Sequence, residues 1–240
     1  MLAFLAASVF AAPTYLKIAV GAEHCLFVES DGSLWVIGDN SDGQLSEGFG
    51  VSTTNIPLQL IASNVTTVAA GAEHSLFIKS DDSLWGMGDN AAGGLGDGTT
   101  VNRFFPEQIP ASGMTTISGG GEYRLFRTVT GRPITTTALW GMGYDGDGEL
   151  GDGTTIDRHL PVQIVPSNVV TIAAGGYSSL FIKSDGSLWV MGDNFFGKLG
   201  EATYTDKHSP IRIVPPAPSQ VVTGLSFFRK QCCCSAGPTG

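Results

Sequence analysis

Charge is scarce in this sequence. Only 15% of its 240 residues are Asp, Glu, Lys or Arg, against about a quarter in an ordinary soluble domain. Basic residues are scarcer still, with 13 Lys and Arg against 22 Asp and Glu and a formal net charge of −9. Nucleic-acid affinity comes largely from Lys and Arg displacing counterions from phosphates, so direct nucleic-acid binding is disfavoured. Apolar runs are short. None approaches the roughly 18 residues a spanning helix needs, so no membrane span is expected. Cysteines number four, Cys25 alone in an apolar run and Cys232, Cys233 and Cys234 side by side. Contiguous cysteines fit poorly the geometry that holds bridged Cα atoms about 5.5 Å apart, and they match no zinc spacing. Neither a disulfide framework nor a metal site is expected, and no cofactor is called for.

What is abundant is glycine, 33 residues, within a chain that is 42% hydrophobic. Mean hydropathy is +0.14, far from the profile of a disordered chain. Each glycine inside a helix costs about 1 kcal/mol relative to alanine, so long helices are not expected.

The two ends read differently from the body. Residues 1–12, MLAFLAASVFAA, resemble the apolar region and small-residue cleavage site of a secretory signal, although a basic start is missing. The expectation is a secreted or cell-envelope protein, with a cytoplasmic location as the alternative. Residues 217–240, which hold the cysteine triplet, read as an irregular tail. Residues 13–216 form the folded body.

That body is a repeat. Four segments share one pattern: GAEHCLFVESDGSLWVIGDN from Gly21, GAEHSLFIKSDDSLWGMGDN from Gly71, GGEYRLFRTVTGRPITTTALWGMGYD from Gly120 and GGYSSLFIKSDGSLWVMGDN from Gly175. Trp35, Trp85, Trp140 and Trp189 mark the register at spacings of 50, 55 and 49 residues, and Pro57, Pro106, Pro161 and Pro210 follow them at 49, 55 and 49. The units run over about 18–63, 64–113, 114–167 and 168–216, the third lengthened by six residues between Leu125 and Trp140.

Each unit reads as strands. Leu26-Phe27-Val28 and Leu34-Trp35-Val36-Ile37 flank Asp31-Gly32, which predicts a hairpin with a type I′ turn; Asp185-Gly186 repeats it. Asp81-Asp82 holds that place in the second unit and a loop around Thr130-Gly131-Arg132-Pro133 in the third. A Gly-x-Leu segment follows each hairpin, at Gly43, Gly93, Gly148 and Gly197, with the leucine expected to plug the space beneath its loop. Pro-led runs such as Pro161-Val162-Gln163-Ile164 and β-rich runs such as Val169–Ala174 complete about four strands per unit. A four-stranded unit cannot bury its own faces, so copies must stack, and radial stacking is a β-propeller. The fold class is all-β, a propeller of about four such repeats.

These residues resemble the repeat of the regulator of chromosome condensation family, with its Gly-x-x-His-[Ser/Thr] start, Leu-Trp-x-x-Gly arm and Asn-x-x-Gly-x-Leu-Gly loop. Here the matches are Gly21 to Cys25 and Gly71 to Ser75, Leu34 to Gly38 and its equivalents, and Asn90 to Gly96 and its equivalents. The resemblance covers residues 18 to 216. It implies a propeller, in this family typically of seven blades, and a role in binding other proteins. The family's eukaryotic founder is a guanine-nucleotide exchange factor for the small GTPase Ran and contacts chromatin. The family's histidine is present as His24 and His74 but replaced by Tyr123 and Ser178, and four units are fewer than seven.

Candidate chemistry is thin. His24 and His74 recur in register and are expected to hydrogen-bond between blades. His159 and His208 lie beside prolines with no partner at motif spacing. Asp145-Gly146-Asp147-Gly148-Glu149 alternates like a calcium loop, but Leu150 stands where that loop needs glycine, and the other units carry no such ligands. The departures that stand out are Phe195 and Phe196, in a turn where other units have Ser41-Asp42, Ala91-Ala92 and Gly146-Asp147. Aromatic pairs on loops are typical interface anchors, and Tyr144, Tyr177 and Tyr204 also depart from their equivalents. The expected function is a non-catalytic protein-interaction module with these five residues at its contact surface. The alternative is an exchange-factor-like regulator of a small GTPase. Self-association is a further way to complete a ring.

Overall fold

Phenylalanine and tryptophan face each other across a hairpin in every unit. Phe27 pairs with Trp35, Phe77 with Trp85, Phe126 with Trp140 and Phe181 with Trp189, each pair with centroids 6.0–6.5 Å apart and planes within 7°. Such cross-strand aromatic pairs fix the register of an antiparallel hairpin. In three units the tryptophan Nε1 also donates to the serine two residues before it, Ser33, Ser83 or Ser187. Trp140 has no such serine and donates to Thr128 instead.

The computed structural model describes residues 14–46, 48, 50–111, 113–130 and 136–214. The expected export signal at 1–12, the tail with Cys232 to Cys234, and Gly131 to Pro133 of the third hairpin lie outside the described residues. Four sheets of four strands follow one another along the chain, each antiparallel with sequential neighbours paired. The first holds β1 (Tyr15–Val20), β2 (His24–Glu29), β3 (Leu34–Asp39) and β4 (Thr53–Ile61); the second β5 (Val65–Ala70), β6 (His74–Lys79), β7 (Leu84–Gly88) and β8 (Arg103–Ile109). The third holds β9 (Met114–Gly119), β10 (Tyr123–Thr130), β11 (Thr136–Gly143) and β12 (Arg158–Val165); the fourth β13 (Val169–Ala174), β14 (Ser178–Lys183), β15 (Leu188–Gly192) and β16 (Lys207–Val214). Among the described residues there is no helix. The four marker prolines all lie in the fourth strand of their sheet, the outer edge, where a missing N–H breaks no ladder bond.

Two local expectations change. The hairpins are not type I′. Gly32 donates to Glu29 and Glu29 to Ser33, and only Gly32, at φ 81°, has a positive angle, so a type I turn is followed by one left-handed residue. Gly186 at 79° repeats this, and in the second unit Asp82 takes the strained place at 63°. The extra residues of the third unit also do more than lengthen a loop, since β10 and β11 each run to eight residues.

Side chains alternate across each strand, so every sheet has a leading face towards the preceding unit and a trailing face towards the next. Trailing Leu26, Val28, Leu34, Val36 and Leu45 meet leading Val65, Val68, Ala70, Phe77 and Met87 in one buried core. Leu76, Ile78, Leu84 and Leu95 meet Met114, Ile117, Phe126 and Met142 in a second. Leu125, Leu139 and Leu150 meet Val169, Ile172, Phe181 and Met191 in a third. Leu45, Leu95, Leu150 and Leu199 are all buried, so the leucine between the loop glycines does plug its core. Backbone bonds also run from sheet to sheet: Ala22 N–H to Ala72 C=O at 3.1 Å, Ala72 to Gly121 at 3.0 Å and Gly121 to Gly176 at 3.3 Å.

Candidate protein-interaction face

The meander puts two kinds of loop at opposite ends of the sheets. At one end lie the tight hairpins joining the second and third strands. At the other lie the turns after each first strand, stitched by the relay just described, together with the long loops after each third strand. Asp39, Asp89, Tyr144 and Asp193 donate their N–H to the carbonyls of Glu23, Glu73, Glu122 and Tyr177, so each turn is fastened to the loop of its own sheet.

An asparagine organises each long loop. In the second unit Asn90 Oδ1 accepts from Leu95 N–H at 2.8 Å, and its Nδ2 donates to Thr99 C=O and Val101 C=O, both at 3.1 Å. Asn194 makes the same set with Leu199, Thr203 and Thr205. Asn40 does likewise with Leu45, Ser46 and Val51. Ion pairs close the loops of the later units: Asp97 with Arg103 and Asp152 with Arg158, both at 2.5 Å, and Glu201 with Lys207 at 3.1 Å.

The third loop breaks this rule twice. Asp145 replaces the asparagine; its Oδ1 still accepts from Leu150, but its Oδ2 stands where the others carry an NH2 group and has no partner. Glu149 replaces Gln44, whose Nε2 donates to Asp39 at 2.7 Å, and Glu149 Oε1 likewise has no partner. Burial pushes both carboxyls up to about 7, with Asp152 raising Asp145 further and Asp147 and Asp145 raising Glu149. Protonated, each can donate as its amide counterpart does.

The joints between sheets explain the recurring histidines. Ser75 Oγ donates to Gln44 C=O at 2.7 Å and lies 3.0 Å from His24 Nε2 in the preceding sheet. Ser179 repeats this with Glu149 C=O and the Tyr123 hydroxyl, which in turn donates to Ser178 C=O. His24 thus bonds between sheets as expected and Tyr123 does the same work in a histidine's place, whereas His74 departs from the expectation, its Nε2 having no hydrogen-bond partner among the described residues. At the middle joint Arg124 stands in the serine position, fully buried, and burial holds it and His74 below their ordinary pKa ranges. His159 and His208 begin outer strands and pack against Gly93 and Gly148 of the preceding unit's loop.

Four of the five predicted aromatic residues gather on the fourth unit at the loop end. Phe195 and Phe196 are 71% and 63% exposed and meet edge to face at 4.8 Å. Tyr204, 76% exposed, lies beside Gly197 of the same loop, and Tyr177, 52% exposed, is fastened through its carbonyl to Asp193. Tyr144 stands apart, half-buried beside Gly146 of the third loop. The two phenylalanines are not equivalent. Asp42 and Ala92, in the place of Phe196, touch the next sheet or are buried, whereas Ser41 and Ala91, in the place of Phe195, are exposed even where a next sheet is present.

The same end is acidic over the earlier units. Burial raises the Glu73 carboxyl, and Asp42, Asp89, Glu122 and Asp39 raise it further; Asp42 is raised in the same way by burial, Asp89 and Asp39. The carboxylates of three units therefore share one field. Among the described residues no group of three or more His, Cys, Asp or Glu is placed to hold a metal ion, and no helix is long and apolar enough to cross a membrane.

Sequence comparison agrees with this architecture. A family model described as the regulator of chromosome condensation repeat matches residues 31–78, 81–126 and 138–182, more than half of the chain. The chain belongs to the regulator of chromosome condensation repeat family. A second model of the same repeat matches 16–44, 65–93 and 169–198. No curated protein sequence matches. Among solved structures, human WBSCR16 superposes with a TM-score of 0.73 at 21% identity, over 85% of this chain and 56% of that one. Prp20p from Saccharomyces cerevisiae, in a structure described with its binding properties to Gsp1p and histones, gives 0.72 at 20%, over 87% and 52%. Yeast RCC1 (Prp20) in a structure with Kap60 gives 0.72 at 21%, over 86% and 50%. The chain spans about half the length of these structures, which establish the propeller fold.

Proposed function

We propose that this repeat protein is a non-catalytic interaction module that docks another protein on its loop end, with Phe195 as the anchor. The observation that carries the reading is the exposure of Phe195 in a turn whose counterparts, Ser41, Ala91 and Gly146, show that the fold needs no aromatic residue there. An exposed aromatic side chain can bury a large area in a partner's pocket at little entropic cost. Tyr177 and Tyr204 flank it, and the carboxylates around Glu73 favour a partner with cationic groups over a polyanion.

The test is quantitative affinity for a partner captured by crosslinking. Phe195→Ala is expected to weaken binding at least about tenfold, the range of an interface hot spot, with the thermal midpoint unchanged. Unchanged affinity removes the assignment.

An exchange-factor-like regulator of a small GTPase is the second reading. Family membership and the likeness to Prp20p support it. Stoichiometric protein that leaves nucleotide release from a small GTPase unaltered removes it.

A further inference from the structure

The first and fourth sheets expose the two halves of a core that is buried three times inside the chain. On the leading face of the first sheet, Tyr15 is 55% and Ile18 76% exposed. Their counterparts Val65, Met114 and Val169 are at most 4% exposed, and Val68, Ile117 and Ile172 at most 8%. Phe27 and Ile37 are half-exposed in the same way, while Phe77, Phe126 and Phe181, and Met87, Met142 and Met191, are buried.

The trailing face of the fourth sheet mirrors this. Leu180 and Leu188 are only half-buried, although Leu26, Leu76 and Leu125 and Leu34, Leu84 and Leu139 are at most 1% exposed. The relay of turn bonds ends on Gly176, whose N–H has no acceptor among the described residues.

We propose that the chain self-associates head to tail, the leading face of the first sheet in one copy receiving the trailing face of the fourth sheet in a second copy. Three internal joints supply the template. In each, a trailing set of branched aliphatic side chains covers a leading set built on one small or medium aliphatic strand, a phenylalanine and a methionine. Ile18, Phe27 and Ile37 offer the leading set, and Leu180, Ile182 and Leu188 the trailing one. Continuity of the same interface, not a new kind of contact, selects a second copy as the occupant. The contact is heterologous, so each copy keeps one face of each kind open until a ring closes. With a net charge of −9 on each copy, salt screens the repulsion and tightens the contact. Phe196 is drawn into this joint, as Asp42 and Ala92 are into theirs; Phe195 is not.

Sedimentation of the full chain under reducing conditions tests the idea. The expected result is a mass that rises with concentration to at least twice the 25.0 kDa monomer, with the midpoint moving to lower concentration as salt increases. Ile18→Asp on the leading face and Leu188→Asp on the trailing face are each expected to raise the midpoint about tenfold or more. Mixed one to one, they regain one intact joint and form dimers that grow no further. Ile182→Asp serves as a second trailing variant should Leu188→Asp lose its β-sheet circular dichroism. A wild-type chain that stays at 25.0 kDa overturns the proposal. So does Ile18→Asp associating as the wild type does, or a mixture that stays monomeric while the wild type associates.

Discussion

The Arg124 guanidinium fills the space that Gly94 leaves open: a Cβ built on Gly94 would lie 2.0 Å from Arg124 Nη1 and 2.9 Å from the Glu122 carbonyl oxygen. Elsewhere the pairing is small against large the other way, Ser75 against Gln44 and Ser179 against Glu149. None of the three guanidinium nitrogens finds a hydrogen-bond acceptor among the described residues. A buried guanidinium without a hydrogen-bond acceptor is costly, so Arg124 carries a penalty that the bonded Ser75 and Ser179 of the other two joints avoid.

Restoring the common pairing tests that view. Gly94→Gln alone is expected to destabilise by about 1–3 kcal/mol, the range for overpacking a core. Arg124→Ser is expected to be neutral or stabilising, because it removes the unpaired charge and offers His74 the partner that Ser75 gives His24. In the double variant the two are expected to couple by about 1 kcal/mol or more in urea denaturation, as touching residues do. Strict additivity means that Arg124 and Gly94 do not share that space.

Asp145 and Glu149 make stability depend on pH. Both folded carboxyls sit at about 7, above their values in an unfolded chain, so the native state holds protons that the unfolded state has released. The stabilisation is complete below the unfolded values near 4 and is lost as pH rises through 7. Between those limits each group contributes a slope of about 1.4 kcal/mol per pH unit, falling with pH. Asp145→Asn with Glu149→Gln supplies the amides that Asn90 and Gln44 provide in their loops. The expected outcome is a thermal midpoint that no longer falls between pH 5 and 8. A slope unchanged by both substitutions contradicts the assignment.

Asp82 holds a left-handed conformation, φ 63°, that Gly32 and Gly186 occupy in the matching turns. The conformation disfavours a side chain, though aspartate tolerates it better than most. Asp82→Gly is expected to stabilise by about 0.5 kcal/mol, the relief of strain being partly offset by the greater freedom of glycine when unfolded. A lower urea midpoint counts against it.

Much of this fold was legible because the repeat prints the same pattern four times. Tryptophan spacing gave the units, and Asp31-Gly32 and Asp185-Gly186 gave the hairpins. The turn type differs from the type I′ that Asp-Gly predicts, since a dipeptide does not show that Ser33 rather than Gly32 closes the outer bond. Phe195 and Phe196 were readable as departures from a pattern, but only the packed sheets separate them, through the neighbours of Asp42 and Ala92. In the sequence Asp145 and Glu149 read only as an imperfect calcium loop, and Arg124 does not stand out. Their signal lies in the aligned repeats, as Arg124 against Ser75 and Ser179, Asp145 against Asn40, Asn90 and Asn194, and Glu149 against Gln44, yet its weight depends on burial, and burial at a joint belongs to two units at once.

The central claim is that a partner docks on the loop end through Phe195. A photoreactive amino acid placed at position 195, with a control at Asp185 in the hairpin at the opposite end, tests it most directly in the presence of the captured partner. Crosslinks are expected from position 195, weakened by added salt because the adjoining face is acidic, and none from 185. Equal crosslinking from both ends, or crosslinking from 185 alone, would contradict the account.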